Sequence, residues 1–142
     1  MSTYTEFRFK SKLSTDTPAE VISFLNRVIN IGDIGMEPNK VMFHNSDVPK
    51  PEIDHPFFKC ERWYMLFLST NWDDDMQGGR FYEQDGRWML DIHTEFKNYD
   101  RETDHFINWV SPYVVGRKKK KYLGYWRTEN SDRNNNYYRE IA

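Results

Sequence analysis

The sequence predicts an α+β domain in which amphipathic helices cover one face of an antiparallel sheet. Three observations carry this expectation. Segments with two-residue alternation open the chain and recur in its middle and near its end. Two helical stripes with start and stop signals separate them. One two-residue turn, Asp85-Gly86, folds the middle segment into a hairpin.

The elements follow in order. From Thr3 to Leu13, Thr5, Phe7, Phe9 and Ser11 share one face, and Tyr4, Glu6, Arg8 and Lys10 the other, which makes a half-buried strand. Thr17-Pro18-Ala19-Glu20 then opens a helix, with Thr17 as cap, Pro18 in the first turn and Glu20 closing a capping box. Val21, Ile22, Leu25, Val28 and Ile29 form its apolar stripe, widened by Phe24, and Gly32 is the stop. Asp33–Pro56 holds four of the six prolines and reads as a long covering loop with a short strand at Val41-Met42-Phe43.

Phe57–Ser69 is the most apolar stretch. Trp63, Met65 and Phe67 alternate with Tyr64, Leu66 and Leu68, which predicts a strand covered on both sides, the second cover being the proline-rich loop or a second subunit. Asn71–Gly79 is an acidic loop. Its Asp73-Asp74-Asp75 run lacks the ligand spacing and distal Glu of a helix-loop-helix calcium site, so a solvated turn is expected. Arg80–Asn98 is the hairpin. Asp100 caps a second helix striped by Phe106, Ile107 and Val110, with Trp109 beside them. Tyr122–Glu129 and Tyr137–Ile141 are two further strands around an asparagine-rich turn. The order β-α-β-β-α-β, with a central hairpin and an extra C-terminal strand, is the ferredoxin-like, split β-α-β pattern, with two helices on one face of the sheet. Residues 1–142 form one such domain by size, long enough to bury about 70% of the unfolded surface without disulfide or metal.

Composition bounds the function. Aromatic residues make up 17% of the chain and the net charge is −2. The charge is uneven: residues 117–142 carry a net of +5 and residues 1–116 a net of −7. Cys60 is the single cysteine, which leaves no internal disulfide and no cysteine-based zinc cluster and fits a reducing, cytoplasmic compartment. The opening residues show no apolar core of a signal peptide, and no apolar run approaches a membrane span.

Two clusters could carry chemistry. On the strand Trp88–Lys97, Asp91, His93 and Glu95 share the face opposite the core, spaced roughly 7 Å apart. A His between carboxylates can serve as a general acid or base, or bind a ligand. His44, His55 and His105 are the histidines available to help it hold a metal, but no metal-ligand spacing supports one and no cofactor is expected. If the first strand lies alongside, Glu6, Arg8 and Lys10 join the same surface. The ordinary reading of such a face is cross-strand ion pairing on a wet sheet surface.

The second cluster is basic. Arg117, Lys118, Lys119, Lys120 and Lys121 run into Tyr122, Tyr125 and Trp126, the ingredients of single-stranded nucleic-acid binding, although the aromatic motif of sheet-based RNA readers is absent. No G-x-S-x-G nucleophile elbow or glycine-rich phosphate loop occurs.

The sequence therefore points first to a small, non-enzymatic binding protein acting through an open sheet face or an aromatic patch. Its partner is another protein or a second copy of itself, as in an accessory protein or a phage-type inhibitor of a host complex. Asp91, His93, Glu95, Arg8 and Lys10 are its candidate binding residues. The alternatives are a small enzyme with His93 as acid/base flanked by Asp91 and Glu95, and a single-strand nucleic-acid binder through residues 117–126.

Overall fold

Alternation in the sequence becomes a five-stranded antiparallel sheet in a computed structural model, which describes residues 4–29, 53–68, 78–115, 121–128, 131 and 133–139. The strands are β1 (Thr5–Lys12), β2 (Gly78–Gln84), β3 (Arg87–Phe96), β4 (Lys121–Thr128) and β5 (Asn135–Arg139). Their spatial order is β2-β3-β1-β4-β5, with every neighbouring pair antiparallel. The first strand is thus the central one, flanked by β3 and β4. The helices are α1 (Ala19–Ile29), α2 (Pro56–Lys59), α3 (Met65–Leu68) and α4 (Glu102–Val110), the last continued by a 3-10 turn at Ser111–Tyr113.

Asp85-Gly86 makes the expected hairpin turn. Both residues have positive φ, 54° and 77°, the geometry whose twist matches the flanking strands, and Gln84 pairs with Arg87 across it.

One face of the sheet is the core. Phe7 and Phe9 of β1 are fully buried and meet Phe106 of α4 edge to face, at centroid distances of 5.8 and 5.3 Å. The Thr94 hydroxyl of β3 donates to the Leu66 carbonyl of α3 at 2.7 Å, which anchors that short helix on the same face. Phe24 of α1 reaches Phe67 and Trp109, so the four helices among the described residues share one aromatic core. At Gly79 on β2, a Cβ would stand 2.8 Å from the Phe67 carbonyl oxygen, a close approach that only glycine permits.

Two expectations change. The expected strand Phe57–Ser69 is corrected over its described part: residues 57–68 form α2 and α3 joined by turns. Pro56 presets the first helical φ and His55 Nδ1 accepts the Phe57 N–H at 3.1 Å, so a capped helix starts where an apolar run alone was ambiguous. Its apolar residues lie at both odd and even positions because they fill the aromatic core, not because they form a doubly covered strand. At α4 the cap is not Asp100. Arg101 occupies the cap position in the left-handed region, and the Glu102 carboxylate accepts the Asp100 N–H at 2.7 Å. At α1 the Thr17 hydroxyl donates back to the Ser14 carbonyl at 2.6 Å, holding the turn before the helix. Gly32, the short strand at 41–43, most of the 33–56 loop and Asp73–Asp75 lie outside the described residues.

Candidate binding face

The strand residues that point away from the core make a second, polar surface. Register fixes its membership: on β1 and β3, Arg8 stands opposite His93, Lys10 opposite Asp91, Glu6 opposite Glu95 and Lys12 opposite Met89. Arg80 and Tyr82 of β2 extend it beside Asp91 and Met89. Tyr125 and Arg127 of β4 extend it beside Arg8 and Glu6.

Glu6 is the hub. Its Oε2 accepts from His93 Nε2 at 2.6 Å and from the Tyr125 hydroxyl at 3.2 Å, and its Oε1 accepts from Arg127 Nη2 at 2.8 Å. Burial alone would push this carboxyl up. The His93 hydrogen bond and the charges of His93 and Arg127 outweigh it and hold Glu6 below the ordinary glutamate value. An ionised Glu6 can only accept, so His93 presents its Nε2–H here.

Arg8 is the second node. Its Nη1 donates to the Asp91 carboxylate, to the Ile92 carbonyl at 3.0 Å and to the Phe9 carbonyl at 3.3 Å. Asp91 is only 3% exposed although it lies on the face away from the helices. A buried carboxylate needs such a partner, because unpaired it would cost several kcal/mol.

Asp91, His93 and Glu95 therefore share one face of β3, together with Arg8 and Lys10. Within that set the strong contacts run across strands, not along β3: His93 to Glu6, and Asp91 to Arg8. His55 and His105 lie near each other in the helical layer, where burial first and then the neighbouring His105 lower the His55 pKa. His44 is outside the described residues. Among the described residues no group of three or more His, Cys, Asp or Glu side chains is arranged to hold a metal.

The basic cluster divides. Residues 117–120 lie outside the described residues, and Lys121 opens β4. Between Tyr122 and Gly124 the pairing with β5 slips by one residue, leaving Leu123 as a bulge. Leu123 enters the core, while Tyr122 stays on the polar face, 49% exposed, its ring 5.5 Å from Tyr138 of β5. Trp126 packs against the core and is separated from Tyr122 by the sheet itself.

The residues that sequence reasoning missed are Arg127, Tyr138 and Tyr82, and the hub role of Glu6. Alternation on β1 already placed Glu6 on this surface. On β4 the bulge breaks the parity that would have sorted Tyr122, Tyr125 and Arg127 from Leu123 and Trp126. Compared with protein-family models, curated proteins and solved structures, the chain matches none of them.

Proposed function

We propose that this protein works by binding, through the open face of its sheet, on a ferredoxin-like split β-α-β framework carrying a fifth strand. The strand order β2-β3-β1-β4, with α1 between β1 and β2 and α4 between β3 and β4, supports the framework. One observation carries the function. Five charged or titratable groups of the open face, Glu6, Arg8, Asp91, His93 and Arg127, are locked into cross-strand pairs, so the middle of the face is an ordered surface of charges beside tyrosines. Preorganised side chains lose little freedom on docking, which favours recognition. A groove of about 640 Å³ lies elsewhere, between α1 and the hairpin turn, lined by Ile22, Asn26 and Trp88 among others, away from His93.

The test compares two variants in capture of partners from the source cell's lysate. Lys10→Glu/Tyr138→Ala alters the open face, and Ser23→Arg/Asn26→Asp alters the groove on the helical side. Binding lost in the first and kept in the second supports the reading. Binding kept in the first and lost in the second overturns it.

A further inference from the structure

The open face has a charge unlike that of the whole chain. The chain carries a net of −2, but across β1–β4 this face holds Arg8, Lys10, Lys12, Arg80 and Arg127 against Glu6, Asp91 and Glu95. Arg8 and Arg127 are matched by Asp91 and Glu6. Among the described residues no ion pair holds the Lys10 or Lys12 ammonium, and Lys10 is exposed. The excess positive charge is thus concentrated on the central strand.

Aromatic rings flank that cationic strip on both sides. On β4 and β5, Tyr122 and Tyr138 are 49% and 45% exposed and pack ring against ring. On β2, the Arg80 guanidinium sits 5.0 Å over the Tyr82 ring. At roughly 4.8 Å per strand, Lys10 is about 5 Å from the β4 line, and Tyr82 lies about 14 Å from Tyr122 across the sheet. A chain crossing the strands at right angles meets rings, then ammonium groups, then a ring with a guanidinium.

We propose that this face binds single-stranded nucleic acid, with bases stacked on the Tyr122–Tyr138 pair and on Tyr82, and phosphates neutralised by Lys10 and Lys12. The proposal rests on the binding role of the open face and names its partner. Stacking needs bases freed from pairing, and a flat sheet offers no helix to enter a duplex groove, so single strands are preferred over duplex. The flanking tyrosines supply sequence-tolerant stacking, and the lysines supply the salt-dependent part.

The test is fluorescence anisotropy with the full chain and labelled oligothymidylate and oligouridylate, each roughly 16 nucleotides long, beside a duplex of the same length. Single strands are expected to bind at low salt and more tightly than the duplex. For two or three neutralised phosphates, log affinity should fall against log salt with a slope of about −1.4 to −2, and Lys10→Gln should reduce that slope by about 0.7. Tyr122→Ala should weaken binding by about 5- to 100-fold without moving the thermal midpoint by more than a few degrees. Tyr138→Ala gives an independent check should Tyr122→Ala fold poorly.

No single-strand binding at low salt, or equal affinity for duplex, overturns the nucleic-acid proposal. In that event, if Lys10→Glu/Tyr138→Ala still abolishes capture of a lysate protein, the binding role of the face stands with a protein partner. Oligonucleotide binding that survives all of the face variants overturns the assignment of the nucleic acid to this face.

Discussion

Replacing Gly124 by Ala tests how the polar and apolar sides of β4 are sorted. A Cβ at this position would lie 1.9 Å from the Arg8 carbonyl oxygen, 2.9 Å from its carbon and 3.0 Å from the Phe9 Cα. All three are backbone atoms, so no rotamer change relieves the contact. Nor can β1 retreat, because it is paired along its other side with β3 from Thr5 to Lys12. Normal contact needs about 3.5 Å, so the strands must part by more than ~1 Å where Phe9 meets Gly124. The cost is an overpacking term of about 1–3 kcal/mol plus one or two ladder hydrogen bonds at about 1 kcal/mol each. A total of about 2–5 kcal/mol is a large part of the stability of a domain this size. It corresponds to a fall in melting temperature of about 6–20 °C. Gly86→Ala is the control. Gly86 also has a positive φ, 77°, but a Cβ there meets nothing within 4 Å, so only backbone strain of about 1–2 kcal/mol remains. Thermal and urea unfolding followed by circular dichroism measure both. Should Gly124→Ala melt within a few degrees of wild type, or no lower than Gly86→Ala, the close approach of β4 to Arg8 is wrong.

Other consequences concern titration, thiol chemistry and the β5 anchor. Glu6 has a depressed folded pKa, so its contribution is complete above the ordinary value of about 4.5 and is lost as pH falls through the lower folded value. Glu6→Gln should flatten the acid limb of melting temperature against pH, and an unchanged limb would remove Glu6 as the hub. Glu102 is the opposite case. Burial raises its pKa, so its contribution is complete below about 4.5 and is lost as pH rises through the folded value. Glu102→Gln keeps an acceptor for the Asp100 N–H and should melt at or above the wild-type temperature at neutral pH; a drop of several degrees would count against this. Cys60 is 7% exposed, and burial, then Glu102 and Asp100, push its thiol up to about 11. Thiol reagents should label it only at the rate of unfolding, and fast labelling of native protein would contradict its placement. The Tyr137 hydroxyl donates to the Asp104 carboxylate and accepts from the Thr103 hydroxyl at 2.9 Å, so Tyr137→Phe should cost about 1.5–3 kcal/mol in urea unfolding.

What the sequence made legible was periodicity. β1, β3 and the hairpin turn could be read because alternation and Asp-Gly chemistry are local properties, and the face of Asp91, His93 and Glu95 follows from parity alone. Phe57–Leu68 could not be read the same way. A run with apolar residues at both odd and even positions has no clear two-residue period, and a histidine cap with a proline at the first helical position decided it. The pairing of His93 with Glu6 depends on register between strands 87 residues apart in sequence, which no local pattern encodes. The sorting of Tyr122 from Trp126 was hidden for a third reason: a single bulge residue, Leu123, reverses the parity of everything before it.

The central place of β1 also sets a timetable for folding during synthesis. The strand is made before both of its neighbours, and both are distant: β3 begins at Arg87 and β4 at Lys121. With roughly 110 residues between the end of β1 and the start of β4, and translation at about 5–20 residues per second, Phe7 and Phe9 wait about 5–20 s for their last partner. During that interval the aromatic strand keeps an unpaired edge, and the centre of the sheet can close only after β4 has been made.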